Sequence, residues 1–115
     1  MDCIFCKIIS GEIPSTKVYE DEKVIAFNDI KPAAPVHILV VPKMHLEDLN
    51  GITEQNSQIM SDIFLAVKRI AKEKGLPEKG YRVLINNGRA AGQEVFHLHV
   101  HILGGKDQLG PMILR

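Results

Sequence analysis

The run "HLHVHIL" at residues 97–103 sets a histidine at every second position, His97, His99 and His101, with Leu98, Val100 and Ile102 between them. In an extended strand successive side chains leave opposite faces, so this alternation predicts a strand with one apolar face and one face of imidazoles. Consecutive histidines on that face stand roughly 6–7 Å apart, from a rise of about 3.3 Å per residue, too far for neighbours to share a proton directly. The spacing suits a pocket in which one ring acts while its neighbours donate hydrogen bonds or bind something else. A solvated strand face explains one histidine well and three of the chain's five in strict alternation poorly.

The remaining strands are predicted from β-branched runs and turn signals. "STKVYEDEKVIAFNDI" holds two strands, around Val18 and Tyr19 and over residues 24–27, joined through the charged "EDEK" as a hairpin. "VHILVVP" is a third, stopped by Pro42, which has no amide hydrogen for a ladder. Ile59, Ile63, Val67, Ile70 and Ala71 recur at helical spacing and predict one long helix over residues 53–74, ending before Gly75 and Pro77. "YRVLINN" and "VFHLHVHIL" give the fourth and fifth strands, separated by the glycine-bounded "GRAAG" and closed by Gly104 and Gly105. The class expected is α+β, an antiparallel sheet with the long helix against one face.

At 115 residues the chain fits a single domain spanning 1–115. Lys plus Arg and Asp plus Glu both number 14, so there is no basic excess to attract nucleic-acid polymers or anionic membranes. No apolar run approaches the roughly 20 residues of a membrane span, and "MDCIFCKIISGEIP" lacks a basic leader followed by a long apolar region. A soluble, cytoplasmic protein is expected, in a setting that keeps its two cysteines reduced.

The chemistry open to the histidine strand is nucleophilic or metal-binding. A neutral imidazole attacks phosphorus well near neutral pH when an acceptor holds its other nitrogen and fixes the tautomer; metal binding by all three rings is the rival. "AGQEVFHLHVHILGG" resembles the signature of the histidine triad family, in its nucleotide-binding, phosphoramidase-like branch. The resemblance extends through "CIFCKIISGEIPSTKVYEDEKVIAFNDIKPAAPVHILVVPKMH" and "YRVLINNG", nearly the whole chain. It implies a five-stranded antiparallel sheet with one long and one short N-terminal helix, the sheet extended across a two-fold homodimer.

It further implies a pocket for a purine nucleotide, an AMP or GMP derivative, in which His99 attacks the α-phosphorus and expels an amine or another leaving group. Water then hydrolyses the nucleotidyl-histidine, with no metal required at the phosphorus. By the same resemblance His101 contacts the phosphate, His37 supports the nucleophile, and Asp29 binds the ribose. Ile4, Phe5, Ile8, Ile13, Phe27 and Ile30 match positions that enclose the base. Asn86 and Gln93 offer amides to phosphate or leaving group, and Gly88 and Gly92 allow backbone approach. Glu94 stands where the animal enzymes carry serine. A carboxylate beside a phosphate is unfavourable, so only its backbone amide is given a binding role. The neighbouring dinucleoside polyphosphate hydrolases, and a zinc-containing nucleotide-binding module with little turnover, are the alternative readings.

"CIFC" is a C-x-x-C pair that fits a redox couple, a zinc half-site or two small apolar residues. Redox use of the thioredoxin kind wants a strand before the motif, which is lacking here. Two thiolates need two more ligands for tetrahedral zinc, and the resemblance implies Cys3, Cys6, His45 and His97. The long helix presents Ile59, Met60, Ile63, Phe64 and Val67 as a face wide enough for its own sheet and a partner, which is where the resemblance implies the dimer interface.

Overall fold

The structure is a computed structural model and describes residues 3–113. Its elements are helix α1 (Ile4–Ser10), strands β1 (Lys17–Glu20), β2 (Val24–Asn28) and β3 (Val36–Pro42), helix α2 (Gln58–Glu73), and strands β4 (Arg82–Leu84) and β5 (Val100–Gly104). The five strands form one sheet in the order β1-β2-β3-β5-β4, antiparallel at every pairing. This is the expected α+β sheet with one long and one short helix. No helix among the described residues is long and apolar enough to cross a membrane.

The β1–β2 hairpin turns where "EDEK" predicts it. The Asp21 carboxylate accepts from the amides of Lys23 and Val24 at 2.8 and 2.9 Å, satisfying backbone donors that the turn exposes. β2 and β3 are buried on both faces, and their alternation divides the core. Val24, Ala26, Ile38 and Val40 meet Ile59, Ile63, Val67 and Ile70 of α2, together with Leu98, Val100 and Ile102. On the opposite face Ile25, Phe27, Leu39 and Val41 meet Cys3 and Phe5 of the α1 segment. The helices therefore cover opposite faces of the sheet.

Three boundaries differ from expectation. α2 starts at Gln58 rather than at residue 53, because Thr53 and Asn56 bond each other's backbone through their side chains, a local alternative to helix. β4 is cut to three residues, and beyond it the Asn87 side chain accepts the Leu49 amide at 2.7 Å. β5 starts at Val100 rather than at residue 95, because its ladder with β3 ends at the Val40–Val100 pair. Upstream of that pair the Leu98 amide donates to the Leu46 carbonyl at 2.7 Å instead. The alternation of faces survives without the ladder: Leu98 still packs on the α2 side, while His97 lies on the side of Phe5.

The helix face assigned to a dimer is largely consumed by the chain's own sheet. Ile59, Ile63 and Val67 are buried and Met60 packs against that core, which leaves Phe64 of the expected set exposed, with Leu65 beside it.

Candidate active site and metal centre

Two clusters of titratable side chains meet on the α1 side of the sheet. The first gathers Cys3, Cys6, His45 and His97, with one ligand atom from each lying within 4.8 Å of all the others. Cys3 caps α1, its sulfur accepting the Cys6 amide at 3.3 Å, so the C-x-x-C spacing turns both sulfurs to one end of the helix. His97 Nδ1 lies 3.3 Å from Cys3 Sγ, 3.6 Å from Cys6 Sγ and 3.0 Å from His45 Nδ1. Cys6 Sγ is 3.4 Å from His45 Nδ1. Ligand atoms around a tetrahedral zinc stand about 3.3–3.8 Å apart for its usual N and S bond lengths, so this set is close to that size. The tautomer agrees. His97 Nε2 is 2.8 Å from the Pro42 carbonyl, which can only accept, so the proton sits on Nε2 and the Nδ1 lone pair faces the two sulfurs.

The second cluster is Asp29, His37 and His101. Here the tautomers oppose a metal. The Ala33 amide donates to His37 Nδ1 at 2.9 Å, which puts the proton of a neutral His37 on Nε2. His37 Nε2 in turn lies 2.9 Å from His101 Nδ1 and 3.5 Å from Asp29 Oδ2. A metal would have to displace that proton and leave an imidazolate. The arrangement instead forms a directed chain from the Ala33 amide through His37 to His101, leaving the His101 Nε2–H as an outward donor.

Between the clusters stands His99, buried, with Nδ1 2.7 Å from the backbone carbonyl of His97. A carbonyl accepts only, so Nδ1 carries the proton and Nε2 keeps its lone pair. The His99 and His101 rings lean to a centroid distance of 5.0 Å, closer than the along-strand spacing. Burial lowers the pKa of His97, His99 and His101 below the usual imidazole value, and for His101, with His99 and His37 adding repulsion, to about 4. All three rings are thereby held neutral near pH 7, the state a nucleophile requires. Burial, reinforced by Cys3, pushes the Cys6 thiol up.

Asp29 lies beside the histidines and also makes the turn before Pro32, its Oδ1 accepting the Lys31 amide at 2.9 Å. Asn86 is half-buried, and the Glu94 side chain is exposed. Gln93 is held by the chain itself. Its Oε1 accepts the Gly88 amide at 2.8 Å, and its Nε2 donates to the carbonyls of Glu47 at 2.8 Å and Val95 at 3.0 Å. Both amide protons are used, and the residue braces the loop between Gly88 and Gly92, two glycines at φ 88° that side chains other than glycine rarely tolerate.

Of the expected base wall, Phe5 and Phe27 are core residues packed edge to face at 5.4 Å, whereas Ile30 is 93% exposed. His37, expected to support the nucleophile, lies against His101. Sequence reading missed the Ala33 amide and the carbonyls of Pro42 and His97, which fix the tautomers; main-chain groups carry no side-chain signal. Asn87, placed at the end of the fourth strand, instead accepts the Leu49 amide, a contact its residue type advertised.

Comparison with known proteins agrees with this geometry. A family model described as the HIT domain matches residues 10–108. The purine nucleoside phosphoramidase of Escherichia coli strain K12 is 44% identical, over 97% of this chain and 93% of that protein. A 14 kDa zinc-binding protein of Zea mays is 50% identical, over 94% of this chain and 85% of its own length. A solved HIT family hydrolase from Clostridium thermocellum superposes with a TM-score of 0.93 at 57% identity, covering 98% of this chain and 97% of that one. With the histidines of "HLHVHIL" held in defined tautomers on this sheet, and the match running through almost the whole chain, the protein belongs to the HIT domain family.

Proposed function

We propose that this protein hydrolyses the phosphorus–nitrogen bond of a purine nucleoside 5'-phosphoramidate, or a related nucleoside monophosphate derivative, through a covalent nucleotidyl-histidine. The observation that carries this reading is the 2.7 Å contact between His99 Nδ1 and the His97 carbonyl, which leaves His99 Nε2 as a lone-pair donor. Nε2 attacks the α-phosphorus, the N–P bond forms and the bond to the leaving amine breaks. The His101 Nε2–H, kept protonated by the chain through His37, supplies a donor to the phosphate or to the departing nitrogen. Water then displaces His99 and releases the nucleoside monophosphate, so one hard displacement becomes two easier ones. Asp29, half-buried beside His37, is the carboxylate for the ribose hydroxyls, and Asn86 the amide for the phosphate or leaving group.

Cys3, Cys6, His45 and His97 are assigned to one structural zinc. Two thiols and two imidazole nitrogens form a closed ligand set, and the reacting groups named above lie outside it. A homodimer is part of the same reading. β4 is an edge strand, and Val83 on it is exposed, as are Phe64 and Leu65 of α2. The cytoplasm, where thiols stay reduced, is the expected compartment.

The test is turnover by purified protein on adenosine and guanosine phosphoramidates and on diadenosine polyphosphates. Faster cleavage of the phosphoramidates is expected. Preference for the polyphosphates moves the assignment to the dinucleoside polyphosphate hydrolases, and binding without turnover reduces it to a nucleotide-binding module.

A further inference from the structure

Phe5 packs between His97 of the first cluster and His99. It lies on the seven-residue helix α1, between the cluster cysteines Cys3 and Cys6. Its ring meets His97 edge-on at a centroid distance of 5.9 Å and His99 at 5.0 Å with the planes 89° apart; Phe27 closes a third side at 5.4 Å. Only 5% of Phe5 is exposed, so in a close-packed interior the ring moves only if these neighbours move. Edge-to-face packing constrains angle as well as distance, and here it bears on the plane of the His99 ring.

His97 touches His99 by a second route. Its imidazole belongs to the Cys3–Cys6–His45–His97 cluster, and its own carbonyl holds His99 Nδ1 at 2.7 Å. Two of the three contacts on the His99 ring therefore start from segments tied to that cluster, α1 through its two thiols and residue 97 through its ring, and the third is the His101 ring at 5.0 Å. The Pro42 carbonyl, 2.8 Å from His97 Nε2, fixes the far side of the same ring.

We propose that Phe5 is a positioning residue, and that the metal-ligand cluster and α1 together form the device that holds the His99 ring. With the four ligands gathered on an ion, Phe5 and the His97 carbonyl confine His99 to one orientation. With the ligands released, α1 and residue 97 loosen together and His99 loosens with them. The inference rests on the reading of His99 as the nucleophile.

The experiment uses full-length protein labelled with 15N-histidine at one fixed pH, in three forms: zinc-loaded wild type, chelated wild type, and zinc-loaded Phe5→Leu, which keeps a buried apolar side chain. The readout is the rate at which the His99 Nδ1–H exchanges with water. Loss of a supporting contact to a metal site commonly costs about 10–100-fold, so exchange roughly tenfold faster or more is expected in the second and third forms. Backbone amides of β2 and β3 should be unchanged. In Phe5→Leu kcat should fall by a similar factor.

Unchanged His99 exchange in either folded form overturns the proposal, and so does a parallel speeding of the β2 and β3 amides, which marks general loosening. If chelation unfolds the protein, zinc-loaded Phe5→Leu decides alone; if that variant fails to fold, Phe5→Met replaces it. A wild type that cleaves no phosphoramidate removes the proposed function, while proton exchange, which needs no substrate, still decides the coupling.

Discussion

The carbonyl oxygen of His97 lies 2.7 Å from Nδ1 of His99, so one residue of the histidine strand sets the tautomer of the next with its backbone while its own ring faces the other way, into the cysteines. The alternation of the sequence thus divides labour along three rings. His97 offers Nδ1 to the metal-ligand cluster, His99 keeps Nε2 free, and His101 is protonated at Nε2 by way of His37.

A pH dependence follows from His101. Its folded-state pKa is depressed from 6.5 to about 4, chiefly by burial, so between those values unfolding takes up a proton. The stability associated with a neutral His101 is complete above pH 6.5 and is lost as pH falls toward 4. Thermal unfolding of wild type and His101→Gln between pH 7.5 and 4.5 should show the wild type losing more of its Tm on acidification. Parallel Tm curves would contradict the assignment.

Zinc content tests the four-ligand centre. Protein purified without chelator should carry one zinc per chain, and Cys3→Ser should lose most of it, since a structural site with three of its four ligands is open and labile. Elemental analysis reads both, and a zinc-free wild type would remove the site.

Gln93 makes three hydrogen bonds from a side chain that is 5% exposed. Gln93→Leu leaves the Gly88 amide and the carbonyls of Glu47 and Val95 short of a partner, and a stability loss of about 1–3 kcal/mol is expected. Denaturant unfolding measures it. A loss below about 0.5 kcal/mol would mean that water replaces these bonds without cost.

For the dimer, sedimentation at micromolar concentration should give the mass of two chains, and Val83→Lys together with Leu65→Lys should shift it toward one. A monomeric wild type would contradict the assignment of β4 and α2 as the interface.

The sheet was legible because its determinants are local. Continuous β-branched apolar runs pointed to β2 and β3, Pro42 closed β3, and the 3.6-residue repeat from Ile59 to Ala71 pointed to α2. Boundaries failed where a side chain competed for backbone, as at Thr53 and Asn56, or where a strand outran its partner, as at residues 95–99. The pairing of two cysteines with two distant histidines is not visible in spacing; the family resemblance supplied it, and the geometry brings those four residues together. For Gln93 an amide suited to a phosphate is equally suited to a loop, and only the fold shows that Gly88, Glu47 and Val95 surround it. Phe5 and Phe27 pose the same choice, since an aromatic ring serves a base pocket or a core alike, and the fold packs the two rings edge to face.

The central claim is that His99 is the nucleophile. Its most direct test is rapid denaturant quenching of wild-type protein with a purine nucleoside phosphoramidate at alkaline pH, which preserves a phosphorus–nitrogen bond, then intact-mass measurement and peptide mapping of the adduct. The account predicts a mass increase of one nucleoside monophosphate unit on His99, no adduct and no turnover in His99→Ala, and in His101→Ala a rate lower by about 10²–10³-fold, the usual cost of losing one donor to the phosphate. An adduct on His97 or His101, or wild-type turnover by His99→Ala, would contradict it.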